Sequence, residues 1–247
     1  MMSSNFSKFF LLTIGLYFLS GCAATHVAVS KRNLDVQTKM SASLFVEPIE
    51  NEKLKKVYIQ AKNTSDKQEF RISHELEQAF AAKGFKVVSK MNQANFVVQV
   101  NILQVGKMDP SAAEASVYRG YGTDGIALGA SSAYLAGGDS KQMVGAGILG
   151  GLASVVADSV VKDVHFSVIT DVQIKERLNG QGKVETTSLH HNQSGTSGHL
   201  ISKYSEKTNW KVQQTRILSS ANKMNLDFNE AAPRLQTSLV QSIVNIF

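Results

Sequence analysis

The sequence predicts an α+β fold: a mixed β-sheet domain with amphipathic helices and an inserted glycine-rich helical hairpin that enters a membrane. Three observations predict it. Apolar and polar residues alternate around residues 96–105 and 164–174, as half-buried strands require. Apolar residues recur at helical spacing around Ile72, Leu76 and Phe80, and again at Leu235, Leu239, Ile243 and Ile246. Between these regions, 10 of the chain's 18 glycines fall within the 32 residues from Gly120 to Gly151.

The chain opens with a short polar stretch carrying one cation, Lys8, followed by an apolar run from Phe9 to Leu19. That is the layout of a secretory signal. It ends in Leu19-Ser20-Gly21-Cys22, which reads as a lipobox built on the only cysteine of the 247 residues. Cleavage between Gly21 and Cys22 leaves a thiol that takes diacylglycerol and an amino group that takes a further acyl chain. Several chains on one residue anchor far better than one. Ala23 rather than an aspartate follows the cysteine, which favours passage to the outer membrane. The expected organisation is a signal peptide over 1–21, a lipidated tether over 22–30 and a single α+β domain over 31–247. Within that domain, 117–161 forms the glycine-rich membrane-associated hairpin.

Along the domain, 31–40 is a structured lead-in, and 43–47 and 57–63 are candidate strands. A helix follows near 66–83, and Gly84 is placed to end it. Residues 86–89 and 96–105 are further strands. From Val164 to Ile174, residues Val164, Phe166, Val168, Val172 and Ile174 share one face. His165, Ser167, Asp171, Gln173 and Lys175 take the other, and Asp171 near Lys175 reads as a solvated strand face. Residues 184–190 and 210–218 continue the β-rich part. The tail is an amphipathic helix with Pro233 near its first turn.

In the glycine-rich segment, Met143 to Val161 is 19 residues with Asp158 as its sole charge. A helix of that length reaches about 28 Å, close to the apolar thickness of a bilayer. Gly125 to Gly138 is shorter, and the turn between them falls at Gly137-Gly138-Asp139-Ser140-Lys141. Gly125 and Gly129, and Gly147 and Gly151, are spaced four apart, which allows close helix packing between copies. The alternative reading is a hairpin buried in a soluble core or a flexible loop. Two stretches, from Gly120 and from Gly145, fit a dinucleotide-binding glycine pattern, but Ala112 to Arg119 is a poor strand to precede one.

Without the leader, 25 basic and 20 acidic side chains leave a balance of +5 with no long cationic run. Nucleic acid is not indicated as a partner, whereas lipopolysaccharide phosphates suit a mildly basic surface. Catalytic and metal candidates are sparse. His190, His191 and His199 lack an HExxH pattern or a cysteine pair, and Gly195-Thr196-Ser197-Gly198 falls short of a nucleophile elbow. No catalytic residue, metal or cofactor is expected beyond the acyl groups on Cys22.

Separated blocks nevertheless carry a resemblance. They are KRNLDVQTKMS at 31–41, NTSDK at 63–67, KMD at 107–109, RGY at 119–121, VITDVQI at 168–174, GTSG at 195–198 and SSANKMNL at 219–226. In order and spacing the chain resembles the TraT family of surface-exclusion and complement-resistance lipoproteins. The resemblance implies a non-catalytic, homo-oligomeric outer-membrane lipoprotein, probing surface components of mating donor cells and complement proteins. It also implies that exclusion specificity lies in exposed residues, here expected at Ala136, Gly137, Gly138, Asp139, Ser140 and Lys141. Two other readings stay open: a structural subunit of an outer-membrane ring or conduit, and a tethered lipid- or glycan-processing enzyme.

Overall fold

The computed structural model describes residues 31–118, 121, 162–178, 184–193 and 199–247, with the backbone path alone for the strand residues of 184–207. In chain order the elements are β1 (Asp35–Met40), β2 (Lys56–Asn63), α1 (Ser73–Ala82), β3 (Lys86–Val87), β4 (Phe96–Lys107), α2 (Pro110–Tyr118), β5 (Asp163–Arg177), β6 (Val184–Gln193), β7 (His199–Thr208), β8 (Trp210–Met224) and α3 (Phe228–Val244). Six strands form one mixed sheet in the order β1-β8-β5-β4-β2-β3, and β6 and β7 form a separate antiparallel pair. The α+β reading therefore holds.

The backbone of the sheet is the pairing of β5 with β8, in register from Asp163 opposite Met224 to Arg177 opposite Trp210. β4 and β1 flank this pair antiparallel, while β2 runs parallel to both β4 and β3. One face of the sheet carries α1 and α3. Val57, Val98, Val172 and Ile217 meet Leu76, Leu235 and Leu239 there in the main core, all almost fully buried. α3 begins where the carboxylate of Asp227 accepts the Asn229 backbone N–H at 2.8 Å, satisfying one of the donors that a helix start leaves unpaired. α1 ends at Gly84, whose φ of +86° is a conformation that residues with a Cβ rarely adopt.

Several elements depart from expectation. The helix expected near 66–83 starts only at Ser73. Upstream, the Asn63 side chain donates to the carbonyls of Lys67 and Phe70 at 2.8 Å each, and its own oxygen accepts from Ser65. Such local side-chain bonds compete with helix formation. Ile72 is nonetheless buried in the core with Leu76 and Phe80. The lead-in contains a strand, β1, whereas 43–47 forms none. There the Gln213 side chain replaces a ladder, accepting from the Phe45 N–H at 3.3 Å and donating to its carbonyl at 2.7 Å. β7 was not anticipated.

The larger correction concerns the glycine-rich hairpin. Among the described residues no helix is long and apolar enough to cross a membrane, which overturns the expected membrane-inserting hairpin over 117–161. Of that range, Val117 and Tyr118 belong to α2, which lies on the sheet face opposite α1 and α3. Val117 and Ala113 are buried there against Ile169 and Leu218. Val117 thus finds its apolar partners in the sheet. The rest of 117–161 apart from Tyr121 lies outside the described residues.

Candidate functional site

The positions expected to serve anchoring, packing and specificity lie outside the described residues: the cleavage and lipidation pair Gly21 and Cys22, the packing residues Gly125, Gly129, Gly147 and Gly151, and the bend Ala136, Gly137, Gly138, Asp139, Ser140 and Lys141. Within the described domain, two of the chain segments leading to them converge. Where the tether ends, the Lys31 carbonyl accepts the Met224 N–H at 2.7 Å. Where the glycine-rich segment ends, the Lys162 carbonyl accepts the Asn225 N–H at 2.8 Å. The Asn225 side chain in turn accepts the Lys162 N–H at 2.9 Å. Asn225 holds this double contact at φ +51°, a left-handed conformation that asparagine tolerates better than most residues. Lys31 and Lys162, the first described residues after the N-terminal segment and after the glycine-rich one, thus both meet the end of β8.

The opposite end of β5 and β8 leads into β6 and β7. The Leu178 N–H still reaches the Asn209 carbonyl at 2.8 Å, and pairing resumes at Val184 opposite Thr208. The candidate histidines sit on this ribbon, with His190 opposite Ser202, His191 opposite Ile201 and His199 opposite Gln193. Ser197 lies outside the described residues. Among the described residues no group of three or more histidine, cysteine, aspartate or glutamate side chains is placed to hold a metal ion.

Sequence reasoning missed one buried electrostatic feature. Asp171 does not line a solvated face. It accepts two bonds from Arg216, from Nε at 2.7 Å and from Nη2 at 2.9 Å, and Arg216 is fully buried. The two residues stand directly opposite in the β5–β8 register. The available signal was an arginine and an aspartate each placed between a threonine and an apolar residue within a long strand, in TRIL and ITDV. Nearby, burial and the Asp171 charge push the Tyr121 hydroxyl pKa up.

Two other carboxyls are tuned in opposite directions. At the start of α2, Asp109 accepts from the Ser111 hydroxyl and backbone N–H, and these bonds hold its pKa below the usual carboxylate value. Glu176 is raised, first by burial, with Lys211 opposing from 3.9 Å. Its Oε2 is buried without a hydrogen bond in the structure. A raised carboxyl pKa means that the folded state binds the proton more tightly than the unfolded state. Glu176 therefore subtracts stability as pH rises from its unfolded value through its folded one. Glu176→Gln should raise the neutral-pH unfolding midpoint and flatten its acid-side pH dependence, and a denaturant series from weakly acid to neutral pH checks both.

A sheet-and-helix domain that follows a lipobox has the layout of an anchored lipoprotein. A family model, Enterobacterial TraT complement resistance protein, matches residues 33–247. A TraT complement resistance protein of Escherichia coli is 39% identical over 232 residues, covering 92% of this chain and 93% of that protein. The homologue from Escherichia coli strain K12 is 38% identical over 230 residues and 92% of each chain. The protein of the same name from Wigglesworthia glossinidia brevipalpis is 26% identical over 251 residues, covering 98% and 97%. The chain belongs to the TraT complement resistance family.

Proposed function

We propose that this protein is a surface-exposed outer-membrane lipoprotein, anchored through acyl chains on Cys22, that acts as an oligomer in surface exclusion of related conjugative plasmids and in resistance to complement. It is not an enzyme. The observation that carries this reading is identity of 37–39% to four TraT complement resistance proteins over 92% of the chain, together with the lipobox at Cys22. Membrane lipid and further copies of the chain are its immediate partners. Donor-cell surface components, complement proteins and lipopolysaccharide are the finer partners of this proposal. In it, 22–30 is the lipidated tether of a single domain over 31–247. The spaced glycines at 125, 129, 147 and 151 support contact between copies, and the bend from Ala136 to Lys141 sets which plasmid is excluded.

The test is the transfer frequency of a related conjugative plasmid into recipients expressing wild type or Cys22→Ala at matched levels. Transfer should fall strongly with wild type and return to the level of empty recipients with Cys22→Ala, since a protein without acyl chains loses its membrane partition. Equal exclusion by both would remove the anchor from the mechanism. No exclusion by either, with serum survival still raised by wild type, would leave complement resistance alone.

A further inference from the structure

The sheet face opposite α1 and α3 is covered by α2 near the end where Lys31 and Lys162 lie, and at the far end by Val88 and Ala94, which bury Val97 with Tyr58 and Trp210 packed beside it. Between them, the register places Gln60, Gln99, Gln173 and Gln214 in one row across β2, β4, β5 and β8. Gln99 donates to Gln60 at 2.7 Å, and the first three are half-buried. On one side of this row stand Tyr58, Val97, Lys175 and Val212, and on the other Lys62, Asn101, Asp171 and Arg216. At the strand ends Lys56 pairs with Lys86 and Arg177 with Trp210.

The charge on this face is one-sided. Asp171 is the carboxylate in these rows, and Arg216 already holds it. Lys56, Lys62, Lys86 and Lys175 form no ion pair among the described residues. Arg177 lies 4.4 Å from the centre of the Trp210 ring and donates to the Ala94 carbonyl at 3.0 Å, which holds the ring at this end of the face. Amide side chains both donate and accept, so a glutamine row matches hydroxyls that do the same. Cations without competing carboxylates match phosphate. An apolar bilayer would use the lysines but not the amides.

We propose that this face binds the phosphorylated core oligosaccharide of lipopolysaccharide, with the glutamine row on sugar hydroxyls and Lys56, Lys62, Lys86 and Lys175 on phosphate. The assignment rests on the outer-membrane location above. It gives the protein a lateral contact with the glycan layer in which its anchor stands, separate from the segment proposed to choose the plasmid.

Trp210 is the chain's one tryptophan, so its emission reports directly on this face. The full-length lipidated protein is titrated in detergent with purified core oligosaccharide, with the same oligosaccharide after dephosphorylation, and with phosphatidylglycerol carried in the same detergent micelles. A saturable emission change is expected with the first ligand. The apparent affinity should be about tenfold weaker with the second and with Lys56→Gln/Lys175→Gln, and it should fall with added salt. Lys31→Gln/Arg32→Gln, at the other end of the sheet, should bind as wild type. Lys56→Arg/Lys175→Arg should retain binding, which separates lost charge from lost fold. No emission change, an equal response to the dephosphorylated sugar or to the micellar phosphatidylglycerol, or equal loss in both glutamine pairs would overturn the proposal. Plasmid transfer measured on the same variants keeps the two readings apart: absent binding with intact exclusion sinks the glycan site and leaves the exclusion function standing.

Discussion

Arg216→Ala is expected to cost about 3–5 kcal/mol of folding stability, because it strands a carboxylate in the sheet without its partner. Asp171 is only 9% exposed, and its two oxygens are taken by Nε and Nη2 of one guanidinium. Water cannot readily replace that fork at the centre of a strand pair. The attraction itself is not the whole of the effect, since burying both ions also costs solvation. Asp171→Leu/Arg216→Met should therefore recover most of the loss, as apolar replacement of a buried pair is often neutral or stabilising. Urea unfolding followed by Trp210 emission compares wild type, Arg216→Ala and the double variant. If Arg216→Ala unfolds at the wild-type midpoint, the pair does not lock β5 to β8.

Phe80→Ala should be about as damaging, at roughly 3–5 kcal/mol, through loss of transfer energy and the cavity left behind. Phe80 is fully buried, and its ring meets Phe247 at 5.0 Å and Phe85 at 5.5 Å, both edge-on. Phe96 completes the cluster at 5.5 Å from Phe247 and 6.0 Å from Phe85. These four rings join α1, the turn after it, β4 and the residues following α3. One truncation thus loosens contacts among elements far apart in sequence. Phe45→Ala removes a ring that is 75% exposed and should leave the melting temperature unchanged. Thermal melts of the two variants side by side give the contrast.

The strands with strict alternation were legible. Phe96, Val98, Val100 and Ile102 face the core as their spacing requires, and so do Leu235, Leu239 and Ile243 of the last helix. Legibility failed where periodicity carries no direction. α2, with its run of alanine and serine, has a weak apolar stripe, and its burial depends on Ile169 and Leu218 far along the chain. Residues 43–47 read as a strand, but the Phe45 backbone bonds the Gln213 side chain and the Ala42 backbone just before them bonds Thr215, which no local pattern announces. Asp171 looked solvated because four residues away is a lysine, while its actual partner is 45 residues away. The lipobox was legible because an enzyme reads it as sequence, without a fold. The glycine-rich run was not, because small apolar residues suit a buried helix, a loop and a membrane span alike.

The convergence of Lys31 and Lys162 on the end of β8 has a mechanical consequence. A cell drawn toward the bearer pulls on whatever it grips, and the acyl chains resist through Cys22 and Lys31. If the grip is on the ribbon of β6 and β7, β5 and β8 are drawn the same way, and the load reaches the anchor side through β1, the strand that follows Lys31. The ladder bonds between β1 and β8 lie across that direction. Their six residue pairs are then strained together in shear instead of being peeled singly. Tension between two cells would then be carried in series by the acyl chains and by a ladder loaded in shear.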